Sequence, residues 1–107
     1  MQINLDEEKQ KIKNEIKNFL IEQKIDFVED EKHLTIKGEV FYIVIVKFIE
    51  ISIKVGQDKY LVLTFENETL NIRYEETFPK ENVKKIKISK HDINAIYLTD
   101  NTLVFLF

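Results

Sequence analysis

GEVFYIVIVKFIEISIKVG, residues 38–56, lies between the only two glycines of a 107-residue chain and is its most apolar run. How it folds decides how the rest is arranged. A membrane-spanning helix is disfavoured first, because Lys47 and Glu50 sit near the middle of the run and a charged side chain at a bilayer centre costs about 2.5–3.5 kcal/mol. From Phe48 onward, Ile49, Ile51, Ile53 and Val55 alternate with Glu50, Ser52 and Lys54, the period of a strand with one buried face. Before Lys47 both faces are apolar, with Phe41, Ile43 and Ile45 on one and Val40, Tyr42, Val44 and Val46 on the other. That pattern predicts a half covered on both sides. Drawn straight, residues 40–55 would reach about 53 Å at roughly 3.3 Å per residue, whereas a domain of 100 residues has a radius of gyration of about 13 Å. The strand must bend or break. No Gly, Pro, Asn or Asp is present there to turn the chain, so the expectation is a bulge or sharp coil near Lys47 and Phe48, in the spine of a strongly curved sheet.

The cover for that sheet is expected from the N-terminus. Asn4 followed by Glu7 fits a capping-box variant, and Leu5, Ile12, Ile16, Phe19 and Leu20 form one stripe at helical spacing. A helix over 4–24 follows. Beyond it, IDFV and HLTIKG read as short strands around the charged loop at 29–32, and YLVLTF and LNIRYE are separated by turns at 56–59 and 66–69. KKIKI alternates like a strand, and INAIYL and TLVFLF flank a hairpin signal at Asp100 and Asn101. The last strand is apolar on both faces, which fits an interior strand and, in the other arrangement, one completed by a second chain across a two-fold axis. These readings give a single α+β domain over 1–107, with a helix packed on a strongly curved antiparallel sheet of six to eight strands formed by 25–107. A monomer is the expected state, and a homodimer through the C-terminal strand the alternative.

Composition limits function more than it specifies it. With 16 Ile and 15 Lys against 2 Gly, 1 Pro and 1 Ala, the bias is that of AT-rich codons and points to a low-GC bacterium or a phage or mobile element within one. The net charge is −3 with both signs interspersed, so bulk charge does not mark a nucleic-acid binder. No cysteine is present, which removes disulfides and thiolate chemistry. The charged N-terminal segment lacks the apolar core of a signal peptide, and a cytoplasmic location without a membrane partner is expected.

No constellation for catalysis stands out. Ser89, His91 and Asp92 are sequence neighbours, whereas a catalytic triad converges from separate segments; Ser89 with Asp92 reads as a local cap before a strand at Ile93. His33 and His91 match no metal-site spacing, and two distant glycines cannot form a phosphate loop. Glu75 and Glu76 are neighbours on opposite faces of a strand. An enzyme, a metal and a cofactor are therefore not expected.

Two charge patterns remain. Acids cluster at Glu29, Asp30 and Glu31, at Glu66 and Glu68, and at Glu75 and Glu76; two or more of these groups sharing one end of the sheet would make an acidic patch for a basic partner, such as the nucleic-acid groove of another protein. Lys80, Lys84, Lys85, Lys87 and Lys90, with Arg73, form the opposite pattern, a basic strip for a phosphate backbone. ISKHDINAIYL also looks a little like the second Sm motif of Hfq-type RNA chaperones, over about eleven residues. The glycine-bearing first Sm motif has no counterpart, and no family is drawn from it. The expected function is a small non-catalytic protein-binding module, of the inhibitor or immunity type, that occludes a partner protein; an anti-defence protein such as an anti-CRISPR is one example. The alternative is a nucleic-acid-binding module that uses the Lys80–Lys90 strip.

Overall fold

The computed structural model describes residues 5–76, 81–89 and 91–107. These form one helix and nine strands: α1 (Leu5–Glu22), β1 (Val28–Glu29), β2 (His33–Lys37), β3 (Glu39–Ile45), β4 (Phe48–Gly56), β5 (Lys59–Glu66), β6 (Thr69–Glu76), β7 (Glu81–Lys87), β8 (Ala95–Leu98) and β9 (Thr102–Leu106). The class is α+β, with every strand pair antiparallel. One strongly curved sheet is not what forms. The strands divide into a four-stranded sheet in the order β1-β2-β9-β8 and a five-stranded meander in the order β3-β4-β5-β6-β7.

Two positions cause that division. Gly38 alone separates β2 from β3, so the chain leaves one sheet and enters the other there. A Cβ at this position would overlap the Lys54 carbonyl, and only glycine allows so close an approach. The second position is the turn at Val46 and Lys47, which pairs Ile45 with Phe48 and folds the apolar run back on itself as a hairpin. The run is broken near Lys47 as its length requires, but by a full reversal rather than by the expected bulge or sharp coil, and without any usual turn residue. The bulge lies instead between Lys54 and Gly56.

Helix α1 ends as a Schellman motif. The N–H of Ile25 donates to Leu20 O at 2.9 Å and that of Lys24 to Ile21 O at 3.1 Å, with Lys24 left-handed at φ 58°. The expected capping residue Asn4 lies outside the described residues. The helical stripe is buried at Ile12, Ile16, Phe19 and Leu20, which join Leu34 and Ile36 of β2, Leu103 and Phe105 of β9, and the inward residues of β4 to β7 in one core; the Leu5 side chain lies outside the described residues. Strand β9 has both edges occupied, by β2 and β8, so its two apolar faces are those of an interior strand. The two sheets are stitched where the N–H groups of Gly38 and Val40 donate to Asn101 O (2.9 Å) and Asp100 O (3.2 Å) in the β8–β9 turn. No helix among the described residues is long and apolar enough to cross a membrane.

Candidate functional site

One face of the five-stranded sheet packs on the core, and register determines what the other face carries. Period-two alternation puts Ile51, Ile53, Leu61, Leu63, Leu70, Ile72 and Ile86 inward. The partners directly across the ladder then align Phe41, Ser52, Val62, Arg73 and Val83, one from each strand, in an outward row. At about 4.8 Å between strands the row spans roughly 19 Å. Val62 in its centre is only 3% exposed, enclosed by neighbours on the same face, while Phe41 and Val83 at its two ends are half-exposed. Charges flank the row. Glu50 and Lys85 lie in the adjoining row with Ile43, and Lys54 and Glu75 in the row on its other side; Glu75 Oε1 is 3.2 Å from Arg73 Nε. The row is therefore apolar and exposed at its two ends, closed at Val62 and flanked by charges of both signs.

At β3 this face meets the most exposed apolar segment of the molecule. Phe41, Tyr42, Ile43, Val44, Val46 and Ile49 are all exposed, Val44 at 68% and Val46 fully. The expectation that residues 40–46 are covered on both faces is therefore overturned. Val40 packs against the core beside the β8–β9 turn, and from Phe41 to the turn of the β3–β4 hairpin the described side chains are exposed. The Ile45 side chain lies outside the described residues.

The acidic residues singled out from sequence do not form one patch. Glu66 and Glu68 occupy the β5–β6 turn, whereas Glu75 and Glu76 end β6 beside Tyr60 and Lys59, roughly 23 Å away at about 3.3 Å per residue. Glu29, Asp30 and Glu31 lie at the other sheet, where the carboxylates of Glu29 and Asp30 and the backbone carbonyls of Asp30 and Glu31 are engaged within the chain. Lys17 Nζ lies 2.6 Å from Glu29 Oε1, and this hydrogen-bonded ammonium holds the Glu29 carboxyl below its usual value. Lys13, almost fully buried, donates to the carbonyls of Asp30 and, at 3.3 Å, Glu31. Asp30 Oδ1 accepts the N–H groups of Lys32 (2.9 Å) and His33 (2.7 Å) and contacts His33 Nδ1 at 2.9 Å. Those donors, the Lys32 N–H foremost, keep its carboxyl low.

Glu76 instead gathers with Glu22 and Asp26, near Lys24 and Lys59, around an open groove of about 640 Å³ between the end of α1 and the ends of β4 and β6. Tyr74 lines it, its phenol pushed above the usual value by burial and by the Glu76 carboxylate. Such a phenol stays protonated at neutral pH. Sequence does not reveal this groove, because its residues come from four segments, 22–26, 55–59, 74–76 and Asn82, whose register sequence does not state.

The basic strip is divided between two faces. Lys85 and Lys87 lie outward with Arg73, opposite Asn71 and Thr69, while Lys84 shares the inward side with Ile86. Lys80 and Lys90 are outside the described residues. Ser89 and Asp92 form the local cap anticipated: the Ser89 N–H donates to Asp92 Oδ2 at 2.5 Å, although the strand then begins at Ala95 rather than Ile93. Among the described residues no cluster of His, Asp and Glu is arranged to hold a metal ion. Comparison with protein families, curated proteins and solved structures gives no match to this chain.

Proposed function

We propose that this chain is a non-catalytic protein-binding module that occludes part of a partner protein, in the manner of an inhibitor or immunity protein. A phage or mobile-element anti-defence protein of a low-GC bacterium, an anti-CRISPR among them, is a concrete member of that class. The observation that carries the reading is the outward row Phe41–Ser52–Val62–Arg73–Val83, which crosses the sheet between charges of both signs and exposes Phe41 and Val83 at its ends around a closed centre at Val62. Mixed flanking charge favours a protein over a phosphate backbone, since Glu50 and Glu75 stand on the same face as Arg73 and Lys85 and would repel phosphate.

A photo-reactive amino acid at Val83, with one at Tyr97 on the other sheet as control, tests it in extract of the source organism. The expected result is a discrete protein adduct at Val83 only, lost when Val62→Asp is introduced in a chain that still melts cooperatively. No protein adduct, together with retention of DNA or RNA whose affinity falls by about 0.9 log units per log unit of salt for each phosphate contact, would replace this reading with the nucleic-acid one.

A further inference from the structure

Of the sheet edges, β3 is the one without protection. At the outer edge of β7, Lys84, Lys85 and Lys87 occupy three of the last four positions, and lysine on an edge opposes pairing with another chain. Strands β1 and β8, the edges of the other sheet, are two and four residues long. Strand β3 is seven residues long, and from Val40 to Ile45 it contains no charge, proline or glycine. Its register with β4 is uninterrupted, so no bulge turns the edge away.

Alternation fixes which backbone groups face outward. The N–H groups of Gly38 and Val40 point away from β4, to the carbonyls of Asn101 and Asp100. Along the same edge, period two presents the N–H and C=O of Tyr42 and Val44. These two residues are a donor–acceptor set for one more strand, and their side chains are themselves 63% and 68% exposed.

We propose that this edge pairs with the same edge of a second copy of the chain, antiparallel about a two-fold axis at Ile43. In that register Tyr42 and Val44 form hydrogen-bonded pairs with Val44 and Tyr42 of the second copy, and Ile43 meets its own equivalent. Charge selects the register and the occupant. Glu39 begins β3 and Lys47 stands in the turn that ends it, so beyond the ladder each Glu39 is brought toward the turn that carries Lys47 of the second copy, at both ends of the pairing. Both side chains are exposed. Val40, its N–H already bonded to Asp100, stops the ladder there and keeps the axis from sliding toward the start of β3. The two five-stranded sheets become one continuous sheet, and the two-fold, being perpendicular to it, places both outward rows on the same side. The pairing goes beyond the partner-binding reading and does not depend on it: it uses the edge of β3, and that reading uses the outward face.

Sedimentation of the full chain over a range of concentrations tests the proposal. A reversible monomer–dimer equilibrium is expected. Val44→Pro removes an outward N–H that serves twice in the dimer and none of the ladder to β4, which an edge strand tolerates; it should give a monomer with unchanged circular dichroism. Because the axis repeats each contact, Glu39→Lys and Lys47→Glu should each weaken the dimer about tenfold or more, and the double exchange E39K/K47E should restore it. A protein monomeric at every concentration overturns the proposal, as does a dimer indifferent to all of these variants. Dimerisation that is lost with the charge exchanges and not regained in the double variant overturns the two-fold register. Val62→Asp should leave the dimer intact, so failure of the partner-binding reading is scored separately.

Discussion

At the scale of single residues, backbone geometry decides more than side-chain chemistry does. Gly38 passes the chain between the sheets with its Cα against the Lys54 carbonyl, so Gly38→Ala should cost about 3 kcal/mol, the upper end for overpacking. Urea titration checks it; a loss below about 0.5 kcal/mol would mean that the two sheets can separate slightly at no expense. Lys24 and Glu68 present the opposite case. Both are left-handed, at φ 58° and 59°, where a residue with a Cβ costs about 1–2 kcal/mol. Lys24 is the residue after the helix cap, and Glu68 follows Asn67 (φ 44°) in a two-residue turn of type I′, the turn that prefers Asn-Gly. Glycine at either site removes the steric cost and adds about 0.5–1 kcal/mol of chain entropy loss. Lys24→Gly and Glu68→Gly should therefore each stabilise the protein by about 0.5–1 kcal/mol, read as an upward shift of the thermal midpoint.

At the scale of elements, Leu34 and Ile36 bury β2 in the core, whereas β1 and the turn after it are held to α1 by charge rather than by apolar area. Val28 is 62% exposed, and the attachment runs through Lys13 and Lys17 to Glu29 and the turn carbonyls. Glu29 has a carboxyl lowered in the folded state, so its contribution is complete above the ordinary value of 4.5 and is lost as pH falls through the lower folded value. The thermal midpoint should fall below about pH 4.5 in the natural protein, and Glu29→Gln should lower it at neutral pH while flattening that acid limb; an unchanged limb would assign acid sensitivity to other carboxylates. Sequence showed this element as two short strands around a charged loop at 29–32, without its contacts to α1. Periodicity revealed the helical stripe at Ile12, Ile16, Phe19 and Leu20 and the buried face at Ile51 and Ile53, because each is a one-dimensional pattern that burial imposes directly. It could not show the reversal at Val46 and Lys47, which lack turn chemistry, nor that Tyr42 and Val44 are apolar and yet uncovered. The outward row is legible only in part for a related reason. Alternation separates Ser52 from Ile51, but which residues of five strands stand side by side is a matter of register, and register also sends Glu66 and Glu75 to opposite ends of one hairpin.

At the scale of the whole molecule, the two sheets share one core and are expected to unfold together. Strand β9 is where that coupling is strongest. It lies between β2 and β8, with Leu34 opposite Phe105 and Ile36 opposite Leu103, and it supplies Leu103, Phe105 and Phe107 to the core that α1 and the five-stranded sheet complete. The turn before it bonds to the start of β3, so loss of β9 would open the seam between the sheets as well as the four-stranded sheet itself. Phe105→Ala alone should cost about 3–5 kcal/mol, a large share of the 5–15 kcal/mol that stabilises a typical domain. Deleting residues 103–107 removes three such side chains and exposes the ladder of β2, and it should abolish the cooperative thermal transition. If the truncated chain still melts cooperatively, the meander β3–β7 with α1 is a folding unit by itself and the four-stranded sheet is an appendage. Val44→Pro provides the contrast, because it removes a donor from the part of the β3 edge beyond Val40, which no strand among the described residues pairs with. A protein that loses its fold on removal of β9 and only its self-association on substitution at Val44 would have one strand apolar on both faces for its interior and another for its partner.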